Sequence, residues 1–182
     1  MLFKKLKREI DHFLSLPKEV QKLLKSYLLA DMAYPIILIF VNAYIFRSGG
    51  DLITLSVYYL GHFISLFLGF FLNKFFIRRY RIDILYGLGT VLMGITPLLL
   101  VFFSWKSIFA YFLYGFISGI GMGFHWVNRN YLSVVKTEDE NRNFFYAFST
   151  SVNSILYLIV SFVSGWLIVF GLDYKWIMIS AF

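Results

Sequence analysis

The 182-residue sequence contains no cysteine, and this absence excludes several kinds of site at once. Without thiols there are no disulfides, no thiolate-bound metals and no cysteine nucleophiles. Charged residues make up 15% of the chain, whereas a typical soluble domain has about 25%. Apolar residues make up 59%, and the mean hydropathy is +0.72. A chain this apolar is typical of a protein that resides in lipid.

Sequence motifs for nucleotide or metal chemistry are also missing. There is no glycine-rich phosphate loop, no pair of carboxylates at a catalytic spacing and no cluster of metal ligands. We therefore expect no cofactor, no bound metal and no catalytic residue, and we expect that the protein is not an enzyme. The net charge of +7 is spread over several loops, so we expect no nucleic-acid partner either.

Long apolar runs recur at the length that crosses a bilayer, about 20 residues for a hydrocarbon core of about 30 Å. We predict an all-α fold, a polytopic bundle of membrane helices over residues 27–182. A sixth run, from residue 174 to the last residue, is too short to cross, so we expect the chain to be cut inside a sixth helix. The five complete spans are predicted at about residues 27–46, 52–72, 83–103, 107–127 and 144–170.

Lysine and arginine are distributed unequally between the two sides of these spans. One side holds 14 of them, in residues 1–26, 73–82 and 128–143. The other side holds three, which are Arg47, Lys106 and Lys175. By the positive-inside rule we expect an integral protein of the plasma (inner) membrane with a cytoplasmic N-terminus.

Residues 1–26 form a basic segment ahead of the first span. Within residues 2–14 the apolar side chains fall on one helical face and the basic ones on the other, which predicts a helix at the lipid interface. A basic tail that only obeys the topology rule is the alternative. The apolar face comprises Leu2, Phe3, Leu6, Ile10, Phe13 and Leu14.

Four of the five spans carry a polar stripe when they are projected at 100° per residue. A polar group in hydrocarbon needs a partner or water, so these stripes are expected to face the bundle or an aqueous cavity. The third span has little beyond Thr90 and Thr96, and we expect it to face lipid. The side chains predicted to line a cavity are Asp31, Tyr34, Asn42, Tyr58, His62, Trp126, Asn153 and Tyr157.

Asp31 and His62 are the ionisable members of this set and are candidates for coupling a proton or cation. Each has a structural alternative. Asp31 would pair with Lys25 or another basic group, and His62 would be a neutral histidine hydrogen-bonded inside the bundle. Arg129, at the end of the fourth span, is interpreted as a partner of the acids at positions 138–140, with an anion contact as the second interpretation.

Small residues recur at four-residue spacing on two spans, and such spacing lets helix backbones approach closely. We favour static packing over a sliding surface. Pro35 removes a helical hydrogen bond, so we expect the first span to bend beside it, with a proline that is merely tolerated as the alternative. The small residues are Gly61, Ser65 and Gly69 on the second span and Gly115, Gly119 and Gly123 on the fourth.

Residues 69–79 read Gly-Phe-Phe-Leu-Asn-Lys-Phe-Phe-Ile-Arg-Arg. This segment resembles the signature G-x-L-x-D-R-x-G-R-R of the major facilitator superfamily. Gly69, Lys74 and Arg78 fit by type and spacing, whereas Asn73 replaces the acid and Phe76 the second glycine. The resemblance implies the N-terminal six-helix half of such a transporter, with a cytoplasmic gate loop at Gly69, Asn73, Lys74 and Arg78. It also implies a cavity lined mainly by helices one, two, four and five.

The function implied by this resemblance is secondary active transport of a small solute by alternating access. The expected partners are membrane lipid, the solute with or without a coupling proton or cation, and a C-terminal half missing from this chain. A half-transporter acting as a homodimer is one alternative. A rhomboid-like intramembrane serine protease is another, suggested by Ser118-Gly119 and His62, although the motif spacing is off by one residue.

Overall fold

The computed structural model describes residues 2–103 and 107–180, and this part of the chain is helical with no strand. Five helices, α2 to α6, are long and apolar enough to cross a membrane and overlap the five predicted spans. They confirm an integral membrane protein with an all-helical fold. Lys106, one of the residues in the topology count, lies outside the described residues. The helices are α1 (Leu2–Ser15), α2 (Lys18–Arg47), α3 (Leu52–Phe76), α4 (Ile82–Phe102), α5 (Ile108–Lys136), α6 (Asp139–Val169) and α7 (Tyr174–Ile179).

The predicted interfacial segment is helical as α1. The side chains of Leu2, Phe3 and Leu6 lie outside what the structure describes. Further along, Ile10 and Leu14 are exposed. Phe13 stacks on Phe148 of α6 with ring centroids 5.4 Å apart, so α1 is held against the start of α6.

Several helices extend beyond the predicted spans, because main-chain hydrogen bonding continues after a helix leaves the hydrocarbon. The first span is part of α2, which begins at Lys18, so the predicted boundary at residue 26 falls inside a continuous helix. In the same way α3 continues to Phe76. Gly69, Asn73 and Lys74 therefore lie on a helix and not in the predicted gate loop, whereas Arg78 does follow the helix.

A π-helical turn, Ile36–Phe40, directly follows Pro35 inside α2. Proline lacks the N–H that would close a regular helical turn, and a wider turn accommodates the loss.

The central helix is α5, whose backbone lies directly against that of α3. A Cβ built on Gly115 would lie 1.9 Å from the carbonyl oxygen of Tyr58, and one on Gly119 would lie 2.0 Å from that of His62. From the other side, a Cβ on Gly61 would lie 2.3 Å from the carbonyl oxygen of Phe112. No larger side chain fits at these positions, which supports the prediction of close packing between the second and fourth spans.

The third span, α4, was expected to face lipid, and for one of its faces this was wrong. Leu85, Met93 and Thr96 are buried, and a Cβ on Gly89 would lie 2.4 Å from the amide nitrogen of His125 on α5. Small residues thus let α4 pack tightly without any polar stripe. The least buried of the five long helices is α6, which packs along α2.

Candidate functional site

A buried ion pair joins α2 to α5. The guanidinium of Arg129 donates from Nη1 to Oδ1 of Asp31 at 2.5 Å and from Nη2 to Oδ2 at 2.8 Å. The two side chains are 8% and 4% exposed, so each charge depends on the other for compensation. Our first interpretation of Arg129, pairing with the acids at 138–140, was wrong because it lies on the face of α5 that meets α2. Asp31 does pair with a basic group, which is Arg129 and not Lys25.

Aromatic rings surround the cation of this pair. The guanidinium carbon of Arg129 lies 4.3 Å from the ring centroid of Tyr27 and 5.2 Å from that of Trp126. The Tyr27 hydroxyl also donates to the main-chain oxygen of Arg129, and Tyr34 meets Trp126 edge to face. Cation–π contacts of this kind are strongest away from water. Tyr27, Asp31 and Tyr34 are spaced by one helical turn, so one face of α2 supplies three of these groups.

An open cavity of about 640 Å³ lies between α2, α5 and α6 beside this pair. Arg129 and Trp126 form part of its wall, and α6 contributes a row of hydroxyl and amide side chains. Of the predicted cavity residues, Trp126, Asn153 and Tyr157 line it. Polar side chains on a membrane-spanning helix require water or another protein group opposite them. The row from α6 comprises Tyr146, Ser149, Thr150, Asn153, Ser154 and Tyr157.

A second, smaller cavity of about 120 Å³ lies on the other side of the ion pair, between α2, α4 and α5. It is lined by Asp31 and Tyr34, with Thr90 and His125 opposite. Thr90 Oγ1 lies 2.9 Å from His125 Nδ1. Trp126 lines both cavities, so the indole and the ion pair separate them.

The other predicted cavity residues, Asn42, Tyr58 and His62, lie elsewhere. They surround a cavity of about 20 Å³ between α2, α3 and α5, which has room for about one water molecule. Asn42 exchanges two hydrogen bonds with the hydroxyl of Tyr59, at 2.8 and 2.9 Å. His62 is buried, and its Nδ1 has no hydrogen-bond partner within the described ranges. The open cavity does not include these three: the tight α3–α5 contact encloses Tyr58 and His62, and Asn42 meets them from α2.

Asn73, predicted to belong to a cytoplasmic gate, is instead buried between α3 and α5. The amide of Asn128 donates to Asn73 Oδ1 at 2.8 Å and to the Phe124 carbonyl at 2.7 Å. Gly69 lies one turn away on the same face, and Lys74 and Arg78 are exposed. Asn73 therefore belongs to an amide pair between two helices.

Three residues of these sites, Tyr27, Asn128 and Ser149, were not predicted from the sequence. Tyr27 lay at the predicted edge of the first span, although its spacing of four residues from Asp31 puts the two on one face. Asn128 lay beyond the predicted end of the fourth span, whereas α5 continues to Lys136 and includes it. Ser149 is one of several small polar residues on α6, and nothing in the sequence separates it from the rest.

No protein-family model matches this chain, and no solved structure matches it. The uncharacterized protein YqgE of Bacillus subtilis (strain 168) is 26% identical over 129 residues, which are 71% of this chain and 30% of that protein. The chain thus spans about 30% of the length of this curated relative, and most of that protein lies outside the matched region.

Proposed function

We propose that this chain is the N-terminal half of a secondary active transporter of the major facilitator type, which moves a small solute by alternating access. The observation that supports this most is the open cavity beside the Asp31–Arg129 pair. It combines aromatic rings, hydroxyls, amides and a charged wall in a membrane protein, which is the mixture that solute sites use.

The exposed polar row of α6 favours a second half opposite it. Thr150 and Asn153 share a helix with Ile155 and Phe162, which are 55% and 66% exposed. An apolar face of this kind suits lipid, whereas a row of amides and hydroxyls does not. A second bundle facing the row would close the cavity around a solute, and the greater length of the Bacillus relative fits such an arrangement. In our proposal the N-terminus is cytoplasmic and the membrane is the plasma (inner) membrane.

Within this proposal, Trp126, Asn153 and Tyr157 contact the solute directly. Asp31 is the better placed of the two coupling candidates, because it faces Arg129 between the two cavities. His62 lies in a cavity of about 20 Å³ away from the open one, so its proposed role is limited to binding a proton or one water molecule.

A homodimer of this half is the second candidate, because two copies could cover each other's polar rows. Intact mass of the protein produced from its native gene separates the two: a mass well above 21.4 kDa favours a longer chain, and 21.4 kDa favours a dimer. The protease alternative is disfavoured, since Ser118 is 2% exposed and lines the smallest of these cavities.

The transport proposal is tested in proteoliposomes that contain the intact protein and a panel of labelled sugars, amino acids and carboxylates. We expect at least one class to enter well above empty liposomes, and Asn153→Leu to abolish that uptake. Ile155→Ala is the matched control, because Ile155 lies on the exposed apolar face of α6. The proposal fails if no class enters, or if the control variant is as inactive as Asn153→Leu.

A further inference from the structure

A lateral groove of about 940 Å³ runs between α2 and α4 on the side of the bundle away from α6. Along α2 its lining begins at Glu19 and ends at Ala33, and the part from Lys22 to Ala33 is about 16 Å long at 1.5 Å per residue. That length is close to half of a hydrocarbon core of about 30 Å, or one leaflet. The groove is therefore long enough to hold a lipid tail from the basic end of the bundle to its middle.

The inner part of the groove is lined by small residues in an otherwise bulky sequence. Ala30 and Ala33 lie on the α2 side, and Gly87 and Val91 lie on the α4 side. A Cβ built on Gly87 would meet no atom within 4 Å. This part of the groove offers an apolar floor with open space above it.

The mouth of the groove is polar and carries three cations, Lys22, Arg81 and Lys136. Two acids accompany them: Glu19 faces both lysines at 3.8 and 3.3 Å, and Asp83 pairs with Arg81 at 2.6 Å. The side chains of Lys22 and Arg81 are 76% and 78% exposed. Exposed ion pairs of this kind contribute little to stability. The cations are therefore able to bind a phosphate instead.

One buried polar group in the groove lacks a partner. Tyr86 lines the groove and is 6% exposed, and its hydroxyl makes no hydrogen bond within the described part of the chain. That oxygen is itself enclosed by protein, so a ligand in the groove meets the rest of the Tyr86 side chain and not its hydroxyl. Ser26, on α2, lines the same part of the groove and supplies an exposed hydroxyl there.

We propose that this lateral groove binds one anionic phospholipid, with its phosphate at Lys22, Arg81 and Lys136 and one acyl chain along Ala33 and Gly87. The net positive mouth selects an anionic headgroup, and the apolar floor selects a lipid over a free phosphate. The site lies apart from the open cavity and does not depend on the transport proposal.

Native mass spectrometry of the intact protein in detergent tests the headgroup. Phosphatidylglycerol is compared with phosphatidylcholine of the same chain length. We expect the anionic lipid to be retained preferentially, and Lys22→Gln and Lys136→Gln each to weaken its binding about fivefold. Lys25→Gln and Lys74→Gln are the controls, because both residues are exposed and basic but do not line the groove. Equal retention of the two lipids, equal losses in the controls, or displacement of the lipid by inorganic phosphate overturns the proposal.

A second variant tests the acyl chain. Gly87→Phe places a ring in the groove, where the backbone leaves room for it. We expect phosphatidylglycerol binding to fall at least as much as in Lys22→Gln, with the melting temperature unchanged in lipid-free detergent. Gly165→Phe on α6, which also has no atom within 4 Å of its Cβ position, is the control. Unchanged lipid binding in Gly87→Phe contradicts the assignment of the groove.

Discussion

The two sides of α5 differ in how they contact their neighbours. Toward α3 it presents Gly115 and Gly119, and the two main chains come into direct contact. Toward α2 and α6 it presents Trp126 and Arg129 beside a cavity of about 640 Å³. The same helix therefore supports a closed interface on one face and an open, polar site on the other.

This difference follows from what can hold helices together in lipid. Lipid tails are as apolar as leucine, so helix association depends on close packing and on polar contacts. The α3–α5 side uses close packing, and its polar groups are enclosed. The α2 side is held by the buried charged pair between Asp31 and Arg129, and it leaves room for a cavity. We expect substitutions on the two sides to destabilise the protein for different reasons.

The largest effect is expected at the ion pair. Arg129→Gln leaves the Asp31 carboxylate buried without its partner, which should cost about 3–5 kcal/mol of unfolding free energy. Thermal or denaturant unfolding in detergent measures the loss. The double variant Asp31→Asn with Arg129→Gln should recover most of it, because neither charge remains. Wild-type stability in Arg129→Gln would mean that the pair does not hold this side of the bundle.

The next effect is expected at the glycine contact. In Gly119→Ala the added methyl group overlaps the His62 carbonyl oxygen, so the helices must separate, at a cost of about 3 kcal/mol. Gly165→Ala on α6 is the control, since its Cβ meets nothing within 4 Å. We expect it to match or slightly exceed the wild-type melting temperature. If both variants behave alike, close packing is not what stabilises the α3–α5 side.

A smaller effect is expected at the amide pair of the same interface. Asn128→Leu leaves the Asn73 amide buried without its partner, which should cost about 1–2 kcal/mol. Leucine at both positions removes the unpaired amide and should restore much of that stability. The double-mutant cycle is measured by unfolding in detergent, and simple additivity of the two single effects would contradict a direct pair.

The smallest effect is expected at the surface, at the N-cap of α3. Asp51 accepts hydrogen bonds from the amide and the hydroxyl of Thr54, and these lower its pKa from the usual 3.8. A lowered pKa means that this stabilisation is present above pH 3.8 and is lost as the pH falls through the folded-state value. The melting-temperature difference between wild type and Asp51→Ala should therefore shrink below about pH 4. A difference that is constant with pH would contradict the cap.

The spans were predictable because each depends on a continuous apolar run, and the run and the bilayer fix its length. The four-residue glycine spacing likewise predicted a close contact, since it is a property of each helix alone. In contrast, Asp31 and Arg129 are 98 residues apart, and their pairing depends on how α2 and α5 are rotated relative to each other. No local pattern encodes that rotation.

Part of the candidate site was also predictable, because a polar face is a property of a single helix. Helical projection identified the polar face of α6, and Asn153 and Tyr157 do line the open cavity. Projection could not distinguish a polar face turned to a cavity from one enclosed by a neighbour. Tyr58 and His62 were therefore assigned to the cavity although close backbone packing encloses them.

Water access to α6 compared with α5 tests the central contrast most directly. Because the sequence has no cysteine, a single introduced thiol reports its own surroundings to a membrane-impermeant methanethiosulfonate reagent. In native membranes we predict that Asn153→Cys reacts at least about tenfold faster than Ser118→Cys in the closed interface or Ile155→Cys on the apolar face, because thiol reactivity follows access to water. Equal rates at the three positions would contradict the division of this bundle into an open side and a closed side.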